Sequence, residues 1–393
     1  MEIGIVRQRY TPFGGAERFV ADALDALSRE QVGLTLYTRR WPGGSTAFKP
    51  VICDPFFLGN VWRDWSFARC VRAKWRAHRP DLIQSHERIA GCDIFRAGDG
   101  VHRVWLDERT RGMSLAGRAF LSLNPYHHYT LAAEARMFAD PRLRAVICNS
   151  NLVRRQIHSL FGVDESRLHV IYNAVDCVRF SPPSSSDRSA ARTHLGVPDD
   201  AVVFATVGSG YRRKGVAAAL TALAALPASA WLIVAGKERK LGTYQQRAEK
   251  AGVAQRVRFL GPVDDVAPVL HAADAFVLPT IYDPLPNACL EAMATGLPTV
   301  TSTQCGAAEL LLGHDAGLVC DAYDAGALSE AMRSLMDPQR RATMGRRARA
   351  TVEALTPETM ASQLLTLYRT LLAAAPVAAA RRSEQPNTDT PKL

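Results

Sequence analysis

The stretch VRFLGPVDDVAPVLHAADAFVLPTIYDPLPNACLEAMATGLPTVTS, residues 257–302, decides the fold. It holds three short apolar runs, 257–263, 275–280 and 297–302, separated by segments with helical spacing. Apolar runs of this length that alternate with helices call for parallel strands buried on both faces and joined by crossover helices. The same alternation extends in both directions. Toward the N-terminus, strands are expected at 3–6, 34–38, 81–86, 92–97, 144–150 and 168–173, and in the second half at 201–209, 230–236 and 316–320. Between the halves lies FSPPSSSDRSAARTHLGVPDD, residues 180–200, which reads as a linker because it is rich in Ser, Pro and Asp. The expected architecture is α/β, with two doubly wound Rossmann-like domains facing a cleft: 1–175 for an acceptor and 176–356 for a donor. A helix over 357–375 is expected to cross back to the first domain, and a polar tail, 381–393, is expected to be disordered.

Composition narrows the function classes. A chain of 393 residues, 47% apolar and 22% charged, is long enough for two buried cores. The eight cysteines are scattered, without a Cys-x-x-Cys pair, as in reduced buried thiols rather than a disulfide frame or zinc site. MEIGIVRQRY reads as a first buried strand and not a signal peptide, and LLAAAPVAAA is too short to span a bilayer. A cytoplasmic protein, at most peripheral to a membrane, is expected. Net charge is +10; up to Asp176, 25 Lys and Arg stand against 18 Asp and Glu, a balance of +7. The basic excess therefore sits in the first half, where an anionic membrane surface is an expected partner. No nucleic-acid motif accompanies the charge, so nucleic acid is not an expected partner.

Each motif with chemical content falls just after a strand, where open α/β sheets bind ligands. Gly14 and Gly15 in RQRYTPFGGAERFV would let backbone amides approach a phosphate at a helix start, or simply make a tight turn. They do not form the three-glycine dinucleotide fingerprint, which speaks against a nicotinamide dehydrogenase. In SGYRRKG, Arg212, Arg213 and Lys214 crowd a helix start, against the helix dipole; a bound diphosphate explains this better than a solvated face does. In YDPLPNACLEAMATG, Asp283 precedes a helix expected from Asn287, its cap, to Thr295, with Gly296 as the stop. Amides near Leu285 to Ala288, a stretch that includes Pro286 and Asn287, are expected to face the cleft. Glu291 lies one turn in, among apolar neighbours, where a carboxylate needs a partner.

These segments, together with VIYNAVDCVRFSP, resemble family-4 retaining glycosyltransferases of the GT-B fold, and the resemblance covers nearly the whole second domain. It implies a nucleotide-sugar donor, with Asp283 holding the sugar and Glu291 the ribose hydroxyls. Asp283 is one methylene shorter than the Glu usual there. The family often has Arg where Ser209 stands, so Arg212 or Arg213 would replace that cation beside Lys214, and Val263 completes the donor set. RYTPFGGAERF, AGCDIFRAGDG and the Cys-Gly of TQCGAAELL are further similar to lipopolysaccharide core glucosyltransferases. That likeness implies a UDP-glucose-type donor and a glycolipid or oligosaccharide acceptor.

The acids and histidine at first-domain loop edges, His86, Glu87 and Asp99, are candidates to face the acceptor. Asp99 and His86, with Asp283, form the expected catalytic set, although Asp99 between two glycines can equally be a turn former. Retaining enzymes of this fold are thought to react on the donor's front face, so no carboxylate nucleophile is required. There is no Asp-x-Asp motif; the phosphate charge is expected to be met by cations and amides, without metal or cofactor. Two segments mix aromatics with Arg, residues 60–80 and 101–129. The first reads as an amphipathic helix with its aromatics in the core; for the second, core packing and membrane anchoring weigh equally. The rival classes are the same transfer to a capsule or phospholipid precursor, a sugar-nucleotide epimerase, and a non-catalytic nucleotide-sugar-binding protein.

Overall fold

The computed structural model describes residues 1–9, 32–41 and 49–374. Its first sheet is built from β1 (Glu2–Val6), β2 (Gly33–Thr38), β3 (Lys49–Ile52), β4 (Leu82–Ser85), β5 (Ile94–Arg96), β6 (Ala145–Cys148) and β7 (Leu168–Val170), in the order β3-β2-β1-β4-β5-β6-β7. The second contains β8 (Val202–Val207), β9 (Ala230–Ala235), β10 (Val257–Gly261), β11 (Ala275–Leu278), β12 (Thr299–Ser302) and β13 (Gly317–Cys320), in the order β10-β9-β8-β11-β12-β13. All pairings between these strands are parallel. Both sheets reverse strand order once, between β1 and β4 and between β8 and β11. Crossovers diverge at such a point and leave a crevice at the carboxyl ends of the strands.

Strand burial follows the apolar runs: β4, β6, β11 and β12 are buried along their whole length. The strand without a sequence signal is β3, where Pro50 breaks the expected pattern. It pairs with β2 alone, and an edge strand tolerates a residue that cannot donate to the ladder.

The supposed linker is a folded element. Ser184 caps a helix over Ser185–Leu195 by accepting from the Asp187 amide, and Gly196 ends it in the left-handed region at φ 64°. Arg192 of this helix is buried and donates to the carbonyls of Ala272, Asp199 and Ala201 and to Asp274 Oδ2 at 2.7 Å. Ser and Pro marked a helix start rather than an unstructured connection.

The helix Pro357–Ala373 begins at the cap Thr356 and returns to the first sheet. Its Met360, Leu364, Leu367 and Tyr368 pack with Ile3, Ile5, Leu36 and Leu82. Each fully buried apolar side chain of this size contributes roughly 1.5–3 kcal/mol. Tyr368 also donates to Gln84 Oε1 at 2.7 Å inside that core.

The segment 101–129 forms helices His102–Arg111 and Leu115–Ser122 and the start of a third, Pro125–Phe138. The aromatics of the helix Gly59–Ala77 divide: Phe67 and Trp75 enter the core, whereas Trp62 and Trp65 stay 41% and 45% exposed. The expectation of a core-facing aromatic stripe there holds only for the second half of that helix.

Candidate active site

The carboxyl ends of β8 and β11 bring together two short segments, 208–214 and 279–291. Lys214 is buried, and its Nζ donates to Asp283 Oδ2 at 2.7 Å. Arg213 donates to the same oxygen at 2.6 Å. Burial acts to raise the Asp283 carboxyl, but Lys214 and Arg213 outweigh it and hold the group below the usual carboxylate range. Lys214 reaches this position beneath Gly208, which adopts φ 151°; a Cβ there would stand 2.6 Å from Lys214 Cε. Only glycine permits that approach.

The three cations do not act as one group. The helix starts at Val216, after Gly215, so the turn before it separates their directions. Arg213 and Lys214 face the cleft, while Arg212 lines a different cavity, with Glu238, Arg247 and Tyr323. The expected cap is also corrected: the helix Asn287–Ala294 has Pro286 at its N-cap and no side-chain cap bond. Asn287, one position inside, is diverted across the cleft, where its Oδ1 accepts from Asn173 Nδ2 at 2.7 Å.

Two cavities meet at Arg213, Lys214, Pro286 and Asn287. One, of about 370 Å³, extends over Ser209 and Val263 to the buried Glu291. The other, of about 480 Å³, lies between the two sheets and is lined by Asp99, Asp283 and Leu285. Asp99 is exposed, 3.9 Å from Arg7. His86 lines neither cavity. It is buried, and its Nε2 meets the Gln84 amide at 3.0 Å. Burial, with Arg96 and Arg7 nearby, pushes its pKa well below the ordinary value, so it is neutral. Gly14 and Gly15 lie outside the described residues.

The 480 Å³ cavity includes residues that sequence reasoning missed: Arg88, Arg96, His102, Trp105, Asn173 and Tyr282. Arg96, buried and lowered to about 9 by burial and by Arg7, donates to Asn173 Oδ1 at 2.7 Å. Asn173 in turn donates to Asn287 and to the Leu285 carbonyl, a polar chain from one sheet to the other. Asn173 sits in IYNAVD, directly after β7, and its place after a strand was the available signal. His102 stacks on Trp105 with ring centroids 5.4 Å apart, and burial with Arg88 lowers its pKa to about 3.

The two halves meet in direct bonds around this cavity. The Val101 amide donates to the Tyr282 hydroxyl at 2.9 Å, and that hydroxyl donates to Gln156 Oε1. This approach requires Gly100, at φ 67°, where a Cβ would lie 2.2 Å from the Tyr282 oxygen. Ser150 donates to the Pro284 carbonyl at 2.7 Å. Glu309 accepts from the amides of Asn151 and Leu152, at the start of the helix Asn151–Phe161, and from the Tyr172 hydroxyl. A carboxylate at a helix N-terminus is favoured by the dipole, and here it comes from the opposite half.

The arrangement suits transfer of a group that leaves as a polyanion: one buried and one half-buried cation, with carboxylates at both ends to hold hydroxyl groups. Residues 187–351 match the family described as Glycosyl transferases group 1, and residues 13–179 match Glycosyltransferase Family 4. The chain is 23% identical over 343 residues to the lipopolysaccharide glucosyltransferase WaaG of Escherichia coli, covering 86% of this chain and 90% of that protein. It is 31% identical over 325 residues to the glycogen synthase of Mycobacterium tuberculosis, covering 78% and 74%. The solved WaaG structure superposes with a TM-score of 0.80 at 22% identity, covering 93% of this chain and 99% of that one. Anabaena HepE, solved with UDP and glucose, has a TM-score of 0.70 at 19% identity, covering 94% and 100%.

Proposed function

Because the chain belongs to the glycosyltransferases of family 4 and group 1, we propose that it is a retaining hexosyltransferase that moves glucose from UDP-glucose to a saccharide of the lipopolysaccharide core. The observation that carries this reading is the pairing of buried Lys214 and half-buried Arg213 on Asp283, one turn of helix away from buried Glu291. The diphosphate of the donor lies against Lys214, Arg213 and the amides from Leu285 to Asn287. Glu291 holds the ribose hydroxyls beside Val263 and Ser209, and Asp283 holds the hexose.

In the reaction, the acceptor oxygen bonds to the anomeric carbon on the face from which the diphosphate leaves. The carbon–oxygen bond to the diphosphate breaks, its electron pair stays with UDP, and the acceptor proton passes to the departing phosphate oxygen. Negative charge grows on that diphosphate, where preorganised cations are worth most. Lys214 and Arg213 supply it, and no divalent ion is needed. Asp99 orients the acceptor. Neutral His86 lies outside both cavities, beside β4, with its ring against the Gln84 amide.

Among the described residues, no helix is long and apolar enough to cross a membrane. The protein acts peripherally, on the inner face of the cytoplasmic membrane, through the helix Leu115–Ser122. Leu115 and Phe120 of this helix, and Leu123 just after it, are 82%, 82% and 77% exposed, and Arg103, Arg109, Arg111 and Arg118 belong to the same stretch of chain, with Arg111 paired to Glu108 and Asp321. Exposed apolar side chains among basic ones bind anionic lipid surfaces.

Thermal shift with nucleotides and nucleotide sugars tests the donor, because a ligand that binds only the folded state raises its apparent stability. UDP and UDP-glucose should raise Tm, and UDP-glucose hydrolysis with chelator present should distinguish an enzyme from a binding protein. No response to any uridine nucleotide would refute the donor assignment.

A further inference from the structure

The transfer reaction uses Arg213 and Lys214 and leaves Arg212 aside. With Lys240, Thr243, Arg247 and Tyr323, Arg212 lines a cavity of about 690 Å³. That cavity shares no lining residue with those of about 370 and 480 Å³. Gly215, Ala217 and Ala218 keep one of its walls free of bulk.

Its charge is one-sided. Among the described residues, the side chains of Arg212, Lys240 and Arg247 make no salt bridge and no hydrogen bond. Glu238 is the one carboxylate in the lining, and backbone takes both its oxygens: Oε2 accepts from the Tyr211 amide at 2.8 Å and Oε1 from the Lys240 amide at 2.9 Å. Arg109 adds a cation from the first half. Its guanidinium lies 5.0 Å from the centroid of the Trp105 ring, and burial together with nearby Arg212 lowers its pKa. Cations of both halves are thus brought together, which costs free energy until an anion joins them.

The cavity reaches the seam between the halves. The Tyr323 hydroxyl donates to the Glu108 carbonyl at 2.6 Å, and Arg111 pairs with Asp321 at 2.7 Å, so that carboxylate is occupied as well. Gly112 forms the first-half edge, where a Cβ would stand 2.6 Å from Tyr323 Cε1. Exposed Leu115 follows three residues later, which sets this edge at the root of the helix Leu115–Ser122.

We propose that this cavity binds a phosphate ester, with Arg212 and Arg247 forking onto its oxygens and Lys240 supplying a third charge. Two guanidinium groups and an ammonium match an anion with several acceptor oxygens, whereas a neutral sugar would find no free carboxylate for its hydroxyls. The volume exceeds that of a bare ion and leaves room for the organic group of the ester. A phospholipid head group reaching the cavity beside Leu115–Ser122 and a soluble phosphorylated metabolite present the same chemistry to these cations. The site does not depend on the transfer reaction.

Calorimetry with glycerol 3-phosphate on UDP-saturated protein tests the site, because UDP occupies Arg213 and Lys214 beforehand. Binding to wild type should be saturable. Arg247→Gln and Arg212→Gln should each weaken it roughly tenfold or more through loss of a charge-assisted bond, with UDP affinity of Arg247→Gln within about twofold of wild type. Vesicles of phosphatidylcholine with phosphatidylglycerol separate the two sources. Weaker vesicle binding by Arg247→Gln, with competition by glycerol 3-phosphate, assigns the ester to a lipid head group; vesicle binding unchanged while glycerol 3-phosphate is lost assigns it to a soluble ligand. No binding of glycerol 3-phosphate to wild type, or unchanged affinity in both variants, overturns the site. An equal loss of UDP affinity in both variants also overturns it, because these cations would then belong to the donor. Wild type that binds no uridine nucleotide would refute the donor reading alone, and the variants are then compared in unliganded protein.

Discussion

The two strand-order reversals have the same backbone geometry and opposite electrostatics. At β8 and β11, buried Lys214 and half-buried Arg213 converge on one buried carboxylate, and four stretches of the second half line the cavity beside them. At β1 and β4, carboxylates outnumber the cations that line a cavity of about 130 Å³, and the lining comes from five separate parts of the chain. A polyanionic ligand needs concentrated positive charge, which a compact motif can deliver. A neutral polyhydroxyl ligand needs hydrogen-bond acceptors spread around a ring, which several elements must supply. Exposed apolar side chains are denser in the first half, with Phe56, Trp62, Trp65, Leu115, Phe120 and Leu123 among them, than in the second, where Val178, Leu312 and Tyr323 are the exposed ones among the described residues.

The largest effect should come from Lys214→Ala. Removing a buried cation from the leaving-group site should lower kcat by roughly a hundred- to a thousandfold, and a loss no greater than that of Glu87→Gln would break the contrast between the sites. Next, Glu291→Ala should weaken UDP binding about tenfold to a hundredfold, read by calorimetry, because it removes charge-assisted bonds worth roughly 1.5–3 kcal/mol. Phe120→Ser should weaken binding to anionic vesicles by about tenfold while leaving UDP affinity intact, in keeping with roughly 1.5–3 kcal/mol per buried aromatic. If vesicle binding survives, the apolar asymmetry between the halves does not serve the membrane.

Asp283→Asn sharpens the comparison in the opposite direction. In the unliganded protein Asp283 occupies the cations that a diphosphate requires, so the variant should bind free UDP several-fold more tightly even as turnover falls. Unchanged or weaker UDP binding would mean that the carboxylate aligns Lys214 and Arg213 without competing for them. The smallest effect concerns pH. His102 is held neutral, its pKa lowered from 6.5 to about 3. The unfolded chain therefore binds a proton that the folded chain refuses, and this costs stability progressively as pH falls from about 6.5 toward 3. His102→Gln should flatten the decline of Tm over that window, and an unaltered slope would show that His102 does not contribute to it.

The second sheet was legible almost strand by strand, because most of its strands are apolar runs bounded by turn residues, β12 with its Thr-Val-Thr-Ser being the exception that its flanking Leu-Pro and turn residues still marked. In the first, β3 was invisible since Pro50 and Lys49 suit only an edge. The Ser185–Leu195 helix was hidden by its own cap residues and by Arg192, a charge whose burial depends on carbonyls and on Asp274, 82 residues away. The residues proposed to hold the donor do gather at one end of the second sheet, as their positions after strands suggest, but the sequence did not show that Arg212 turns away or that Asn287 bonds to the opposite half. Those outcomes depend on where a helix begins to within one residue, which spacing does not specify. Arg88, His102 and Trp105 lie in one stretch, 88–105, but only the fold shows that this loop and short helix face Asp283 to Asn287 of the other half; from the sequence the segment 101–129 offered core packing or membrane anchoring instead.

The helix Pro357–Ala373 has a consequence for anyone cutting this protein into parts. The chain crosses from the first sheet to the second and then back, and the returning helix buries Leu364, Leu367 and Tyr368 in the first core. A chimera that exchanges the first half at a single junction would pair one parent's sheet with the other parent's closing helix, and Tyr368 would face a Gln84 from the wrong parent. Exchanging the first half between relatives thus calls for two junctions, one after Asn173 and one near Thr356, so that the helix travels with the sheet it covers.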